Sequence, residues 1–228
     1  MSAAAESPAR AENVSRLTRV TLQAGAAVDA RGARLPDRVQ VTGTLRRLYE
    51  TALVLFGQRG FHAVSVRDLT RALGVQASTL YSHVPSKGRL LADLVRVGHE
   101  EHRDQLRWAL LEVGAEPAEQ VRALVRAHVL VHATYPLLTR VCNRDLAALP
   151  PEDAPAILAI RLDAEQIFVD VIERGQRLGD FRLSDPVLAV AALGAMGIRV
   201  AEWWSPGLEL DPNEIADTYA EFAVRMLT

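Results

Sequence analysis

The chain has 228 residues, with 26 Lys or Arg against 28 Asp or Glu and a formal net charge of −2, and this length buries a core without disulfide or metal staples. Its single cysteine, Cys142, excludes an intrachain disulfide framework and points to a reducing compartment, with the cytoplasm as default. The N-terminus lacks the apolar core of a signal peptide, and the longest uncharged apolar run, Val187 to Ile198, has 12 residues against about 20 for a bilayer span, so no membrane partner is expected.

The total charge conceals a division. Residues 1–88 carry 12 Lys or Arg against 6 Asp or Glu, a net of +6, whereas residues 89–228 carry 14 against 22, a net of −8. A basic end neutralises phosphates while an acidic remainder is repelled by them, so nucleic acid would be met by the N-terminal part; the plainer alternative is a solvated basic face. Residues 1–37 mix Ala, Arg, Ser, Gly and Pro with few large apolar side chains, which predicts a flexible arm with room for a short helix over Val14 to Ala24. Arg31, Arg34 and Arg38 could follow a DNA groove, although a solvated tail is the simpler reading.

Residues 38–88 read as a three-helix head. Leu45, Leu48, Tyr49, Ala52, Leu53 and Phe56 recur with a 3.6-residue period, the mark of an amphipathic helix. Gly60 follows the last periodic residue, where a left-handed C-terminus is easiest for glycine, and Phe61 can fold back on the last turn. Ser65 and Asp68 have capping-box spacing and start a second helix with Val66, Leu69, Ala72 and Leu73 inward and Arg67 and Arg71 outward. Gly74 breaks it, Val75 plugs the turn, and Gln76 to His83 form a short third helix anchored by Leu80 and Val84. Pro85 stops that helix, Ser86 caps a fourth, and Leu90, Leu91, Leu94 and Val95 open a run that extends to about residue 111.

A helix, a glycine turn and a short polar helix make a layout that reads DNA, because the second helix of such a pair is exposed and braced by the first. Ala77 and Ser78 allow close approach, Gln76 and Ser82 offer hydrogen bonds to base edges, and Thr79 suits a base methyl or a phosphate. Tyr81 and His83 flank that face with donors for backbone oxygens. Lys87 is the only lysine among 26 basic residues and stands at a helix start, which favours anions. The segment GVQASTLYSHVPSKGRLL resembles the recognition region of the tetracycline-repressor-like (TetR) transcriptional regulators. Phe56, Gly60, Leu69, Gly74, Val75, Thr79, Leu80, Tyr81, His83, Lys87 and Leu91 fall at that family's spacing. The resemblance implies that Thr79, Tyr81, His83 and Lys87 hold phosphates, that positions 76, 77, 78 and 82 choose the sequence, and that Arg67 reaches a base or phosphate. Gln76, where a small capping residue is usual, and Val84, where an aromatic is usual, depart from the pattern.

Residues 89–228 again read as helix, with further segments at about 117–134, 136–147, 154–175, 186–204 and 212–227; Asp185 before Pro186 and Asp211 before Pro212 are start signals. The expected fold is all-α: an N-terminal three-helix helix-turn-helix domain followed by a C-terminal helical bundle for ligand binding and dimerisation. Val187 to Ile198 is apolar all round, which one surface helix of a monomer cannot bury. With a stripe of Ile215, Tyr219, Phe222 and Met226 on the last helix, it would form a four-helix seam in a homodimer; an intrachain core is the alternative. The resemblance tips the balance, because TetR-like proteins usually dimerise through their last two helices.

No phosphate-cradling glycine loop, metalloprotease signature or second cysteine occurs, so neither cofactor, metal nor catalytic residue is assigned. His99 with His102, and His128 with His132, share helix faces, yet two histidines are not a metal site. From about Asn143 to Leu227 the chain resembles the ligand domain of regulators of fatty-acid and steroid degradation that respond to acyl-CoA thioesters. That resemblance implies an apolar tunnel for an acyl or polycyclic tail. Candidates for its lining are Arg140, Arg144 and Arg161 for an anionic head, Phe168, Met196 and Trp203 for the tail, and His128, His132 and Asn143 for polar contacts. Each has an ordinary alternative as a core residue or a locally paired arginine. The reading is a ligand-responsive repressor on a palindromic operator. Two rivals are a small helical enzyme acting on a CoA thioester, with Cys142 or the histidines as its reactive groups, and a sequence-indifferent DNA-binding protein.

Overall fold

A computed structural model describes residues 33–228 together with positions 12, 13 and 18; the expected helix over Val14 to Ala24, and Arg31, otherwise lie outside the described residues. Among the described residues the chain is helical and without strands. The head consists of α1 (Gly43–Arg59), α2 (Val66–Leu73) and α3 (Ala77–Tyr81). The remainder consists of α4 (Lys87–Leu111), α5 (Pro117–Thr134), α6 (Pro136–Arg144), α7 (Ala154–Leu178), α8 (Pro186–Trp203) and α9 (Pro212–Leu227).

Local chemistry sets the breaks. Ser65 accepts from the Asp68 amide at 3.1 Å and Asp68 Oδ2 accepts from the Ser65 amide at 2.9 Å, which closes the capping box of α2. Gly74 then turns the chain at φ 69°, left-handed backbone that a side chain would strain, while the Val75 amide donates to the Thr70 carbonyl at 3.1 Å. Inside α2 the buried residues are Leu69, Thr70 and Leu73, and Ala72 is exposed. Thr70 takes the place expected for Ala72, because positions 66, 69, 70 and 73 make one helical stripe and its hydroxyl is satisfied by the Arg67 carbonyl at 3.1 Å. The helix α3 is shorter than Gln76 to His83. Beyond Tyr81, Ser82 returns its hydroxyl to the Thr79 carbonyl at 2.8 Å, and the His83 and Val84 amides both donate to Leu80, a tight turn ahead of Pro85.

Folded chain begins before the first helix. Leu35 is buried in the core, and the exposed Arg38 lies against α4, donating to the Val97 carbonyl at 2.8 Å and pairing with Glu100, Glu101 and Asp104 at 3.1–3.4 Å. Two apolar cores follow. One joins the head to the first half of α4, to α6 and to the start of α7, through Phe56, Leu80, Leu91, Leu137 and Ile157. It crosses residue 88, which marks a change of charge and no break in packing. The other joins the second half of α4 to α5, α7, α8 and α9 through Leu106, Leu124, Phe168, Leu193 and Ala220.

The last two helices are only half accounted for within one chain. Ile215 turns into the core, whereas Phe222 and Met226 of α9 and Val187 and Leu188 of α8 stay exposed. Helix α8 is long and apolar enough to cross a membrane by length and composition, with mean hydropathy 1.4. It also carries Arg199 and Glu202, and Glu202 pairs with Arg140 of α6 at 2.9 Å.

Candidate functional site

The head presents the side chains that base and phosphate contact require. Arg67, Gln76, Ala77, Ser78, Tyr81, Ser82 and His83 are exposed and Thr79 is half-buried. Only Leu80 is buried within α3, so one anchor holds the helix and leaves its other faces to solvent. The Ser82 hydroxyl proton is already bonded to Thr79, which leaves that oxygen as an acceptor for a cytosine or adenine amine.

Lys87 has partners within the chain. Its ammonium donates to the carbonyls of Phe61 and Val64 at 2.9 and 2.7 Å and sits 4.0 Å over the Phe61 ring. Two of its three N–H bonds therefore hold the loop between α1 and α2 against the start of α4, and burial lowers its pKa. Neighbouring contacts do the same work. Tyr49 of α1 donates to Asp93 of α4 at 3.0 Å, and Arg89 reaches Asp153 ahead of α7 at 2.8 Å.

Arg144, expected near an effector, belongs to this fastening too. Its guanidinium donates to the Gly57 carbonyl at 3.1 Å and to the Phe56 carbonyl, satisfying the end of α1, while Asp145 binds both Arg144 and the Phe61 amide. Sequence reasoning missed this clamp because an arginine gives no sign of which distant carbonyls it will reach.

A cavity of about 380 Å³ lies where the two cores meet, enclosed by α4, α5, α6, α7 and α8. Of the candidates, His128, His132, Asn143, Arg161 and Phe168 line it. Arg140 does not: it is tied to Glu202 and to the Ala201 carbonyl. Met196 and Trp203 pack instead against the second core. The lining residues not assigned to it from sequence are His99, His102, Thr139, Cys142 and Glu165, with Val190, Ala191, Gly194 and Ile198 as apolar wall on α8. The histidine pairs at 99/102 and 128/132 were a usable signal, but their convergence depends on how α4 packs on α5.

Four histidines thus share one cavity. His102 Nε2 lies 2.8 Å from His128 Nδ1, His128 Nε2 lies 3.0 Å from the Gly194 carbonyl, and His132 Nδ1 lies 2.8 Å from the His128 carbonyl. Burial holds all four neutral, pushing His99 and His128 down to about 4 and His102 and His132 well below the usual value. Among the described residues no group of three or more His, Cys, Asp or Glu is arranged to hold a metal ion. Cys142 is buried beside them, its thiol pushed up to about 12 by burial, which is the opposite of an activated nucleophile. At the rim Arg161 pairs with Glu165 at 2.9 Å and donates to Asn143 at 3.1 Å.

Comparison with known proteins assigns the chain on both of its parts. Residues 48–94 match the family model of bacterial regulatory proteins, tetR family, and residues 114–227, half of the chain, match that of the tetracyclin repressor-like C-terminal domain. The chain belongs to the TetR family. Like that family's members it is a DNA-binding transcriptional regulator. A curated relative, the HTH-type transcriptional repressor KstR2 of Rhodococcus jostii, is 23% identical over 180 residues, covering 78% of this chain and 88% of the relative. A tetR-family regulatory protein from Rhodococcus RHA1 has 28% identity, with a TM-score of 0.74 over 82% of this chain and 98% of the other. The structure of AibR in complex with isovaleryl coenzyme A and operator DNA has 22% identity and a TM-score of 0.70, covering 78% of this chain and 96% of that one, which is a likeness of fold.

Proposed function

We propose that this TetR-family regulator is a repressor that grips a palindromic operator as a homodimer and releases it when a small lipophilic or acyl-CoA-type effector enters the cavity. One observation carries the reading: α4 runs from Lys87, fastened to the head, to His99 and His102 in the cavity wall. A ligand that favours a different tilt of α4 changes the separation of two heads and weakens operator binding by its difference in affinity for the two states. A cavity of about 380 Å³ lies near the lower end of the usual range for ligand sites, roughly 300–1,000 Å³. It suits a compact apolar molecule, or the acyl end of a thioester whose nucleotide stays outside. The bound isovaleryl coenzyme A of AibR supports the second form.

The dimer rests on the uncovered apolar faces of α8 and α9, where Val187, Leu188, Phe222 and Met226 are exposed and need a partner surface. The protein acts in the cytoplasm, needs no cofactor and is a regulator rather than an enzyme: Cys142 is held as a thiol, and no base is bonded to it.

Selection of binding sites from random duplex DNA, followed by titration of hydrophobic and acyl-CoA candidates against the selected operator, tests the reading. A palindromic consensus is expected. Ser78→Ala or Gln76→Ala should change the preferred bases, whereas Tyr81→Phe should weaken all duplexes alike. Equal affinity for operator and random DNA at one salt concentration would leave a sequence-indifferent binder.

A further inference from the structure

The polar end of the cavity has hydrogen-bonding roles fixed by its own geometry. A carbonyl oxygen only accepts, so His128 must carry its proton on Nε2, the atom 3.0 Å from Gly194. A neutral His128 then has a bare Nδ1, and the 2.8 Å contact obliges His102 to donate from Nε2. His132 faces the His128 carbonyl with Nδ1 at 2.8 Å, so its proton is on Nδ1 and its Nε2 is a lone pair. His99 Nε2 is the remaining group. It is buried, belongs to a side chain in the cavity wall, and has no hydrogen-bond partner. A buried polar atom left without a partner is uncommon, so this end of the cavity has hydrogen-bonding capacity that the chain does not use.

Rings held this way discriminate among ligand groups. A carboxylate would meet the bare Nε2 of His132 lone pair to lone pair and would lose its hydration against Phe168 and Ile198. An ether or a plain alkyl end has no proton to give and would leave His132 Nε2 unbonded. A hydroxyl brings no charge into the apolar wall and donates its proton to the bare nitrogen. Arg161 stands at the rim with its charge paired by Glu165 and one terminal nitrogen bonded to Asn143, apart from the bare His132 nitrogen that sets this preference.

We infer that the effector is an apolar molecule carrying a neutral hydroxyl group, which donates to His132 Nε2. This rests on the cavity being the effector site and adds the chemical class of what fills its polar end. The hydroxyl bonds a nitrogen beside the chain of contacts that links α4, α5 and α8 through His102, His128 and Gly194, so its arrival is felt by the helix that carries the head.

Calorimetric titration of the intact protein at pH 7.5 with 1-octanol, its isomer methyl heptyl ether, and octanoate tests this. Octanol should bind about tenfold more tightly than either, the ratio expected when a buried hydrogen-bonding group gains or lacks its partner. His132→Leu should bring octanol and the ether within about twofold. Because that variant removes a core ring, ¹⁵N-histidine spectra of the unaltered protein give a second readout. His128 and His132 should appear as opposite tautomers, and octanol but not the ether should move the His132 Nε2 resonance. Equal binding of octanol and ether would overturn the hydroxyl assignment while leaving a lipophilic effector site in place. Tightest binding of octanoate would overturn it in favour of Arg161 as the head-group partner. Failure of all three to bind would remove both the assignment and the cavity as a site for lipophilic effectors.

Discussion

Gly197→Ala should destabilise the protein even though alanine is the better helix former. A Cβ at position 197 would overlap the His128 ring at Cδ2 and Nε2 and lie 3.0 Å from Cγ. The ring has no free direction. It is bonded to His102 and to the Gly194 carbonyl, and it packs edge-on to His132 and Phe168 with centroids 4.5 and 6.1 Å away. Overpacking of this kind costs about 1–3 kcal/mol, and loss of the two ring hydrogen bonds adds about 1 kcal/mol each. Replacing a helical glycine regains about 1 kcal/mol, so the net loss is roughly 2–4 kcal/mol. Gly194→Ala, one turn earlier on α8, is the control: nothing lies within 4 Å of its added carbon, and the same propensity term should stabilise by up to about 1 kcal/mol. Urea unfolding at equal protein concentration measures both. A Gly197→Ala protein as stable as the parent would refute the fixed His128 ring, and with it the tautomer argument built on that ring.

Lys87→Met should reduce stability by about 1–2 kcal/mol through the carbonyls of Phe61 and Val64 it leaves behind. It should change the slope of log affinity for DNA against log salt by less than the ~0.9 of one phosphate contact; a full unit of slope would place the ammonium on the backbone of bound DNA. Stability should fall below pH 6.5. The buried histidines are neutral in the fold, with His99 and His128 titrating only near 4, so the unfolded chain binds more protons between those values. Each such group contributes up to about 1.4 kcal/mol per pH unit in that window and nothing above it. Urea midpoints at pH 7.5, 6 and 5 check this, and His102→Phe should flatten the curve. Phe222→Glu should weaken the proposed homodimer by about 100-fold or more, about 3 kcal/mol for burying an unpaired charge, read by sedimentation; an unchanged dimer would move the interface off α9.

Much of the head was legible because its signals are local. Ser65 and Asp68 close their capping box within one turn, Gly74 adopts the turn its lack of a side chain permits, and Pro136, Pro186 and Pro212 start helices where their fixed backbone angle fits. Lys87, Arg144 and Arg38 have intrachain partners that the sequence does not reveal, for one reason. Long cationic side chains reach carbonyls and carboxylates far away in sequence, and which of these lie within reach depends on how the helices pack. Arg140 likewise went to Glu202, a partner sixty-two residues away in sequence, and no spacing rule reaches that far.

The order and character of the helices, the charge division between the head and the remainder, and the exposed face of α3 follow from sequence alone, because capping, periodicity and turn chemistry act over a few residues. The cavity, the meeting of His99, His102, His128 and His132 inside it, and the clamp that joins α4 and α6 to the head belong to tertiary structure. Each of these depends on which faces of distant helices come together. Gly98 and Gly197 show the dependence most plainly: they let α4 close on Cys142 and α8 on His128, and a missing side chain acquires that meaning only when something else occupies its place.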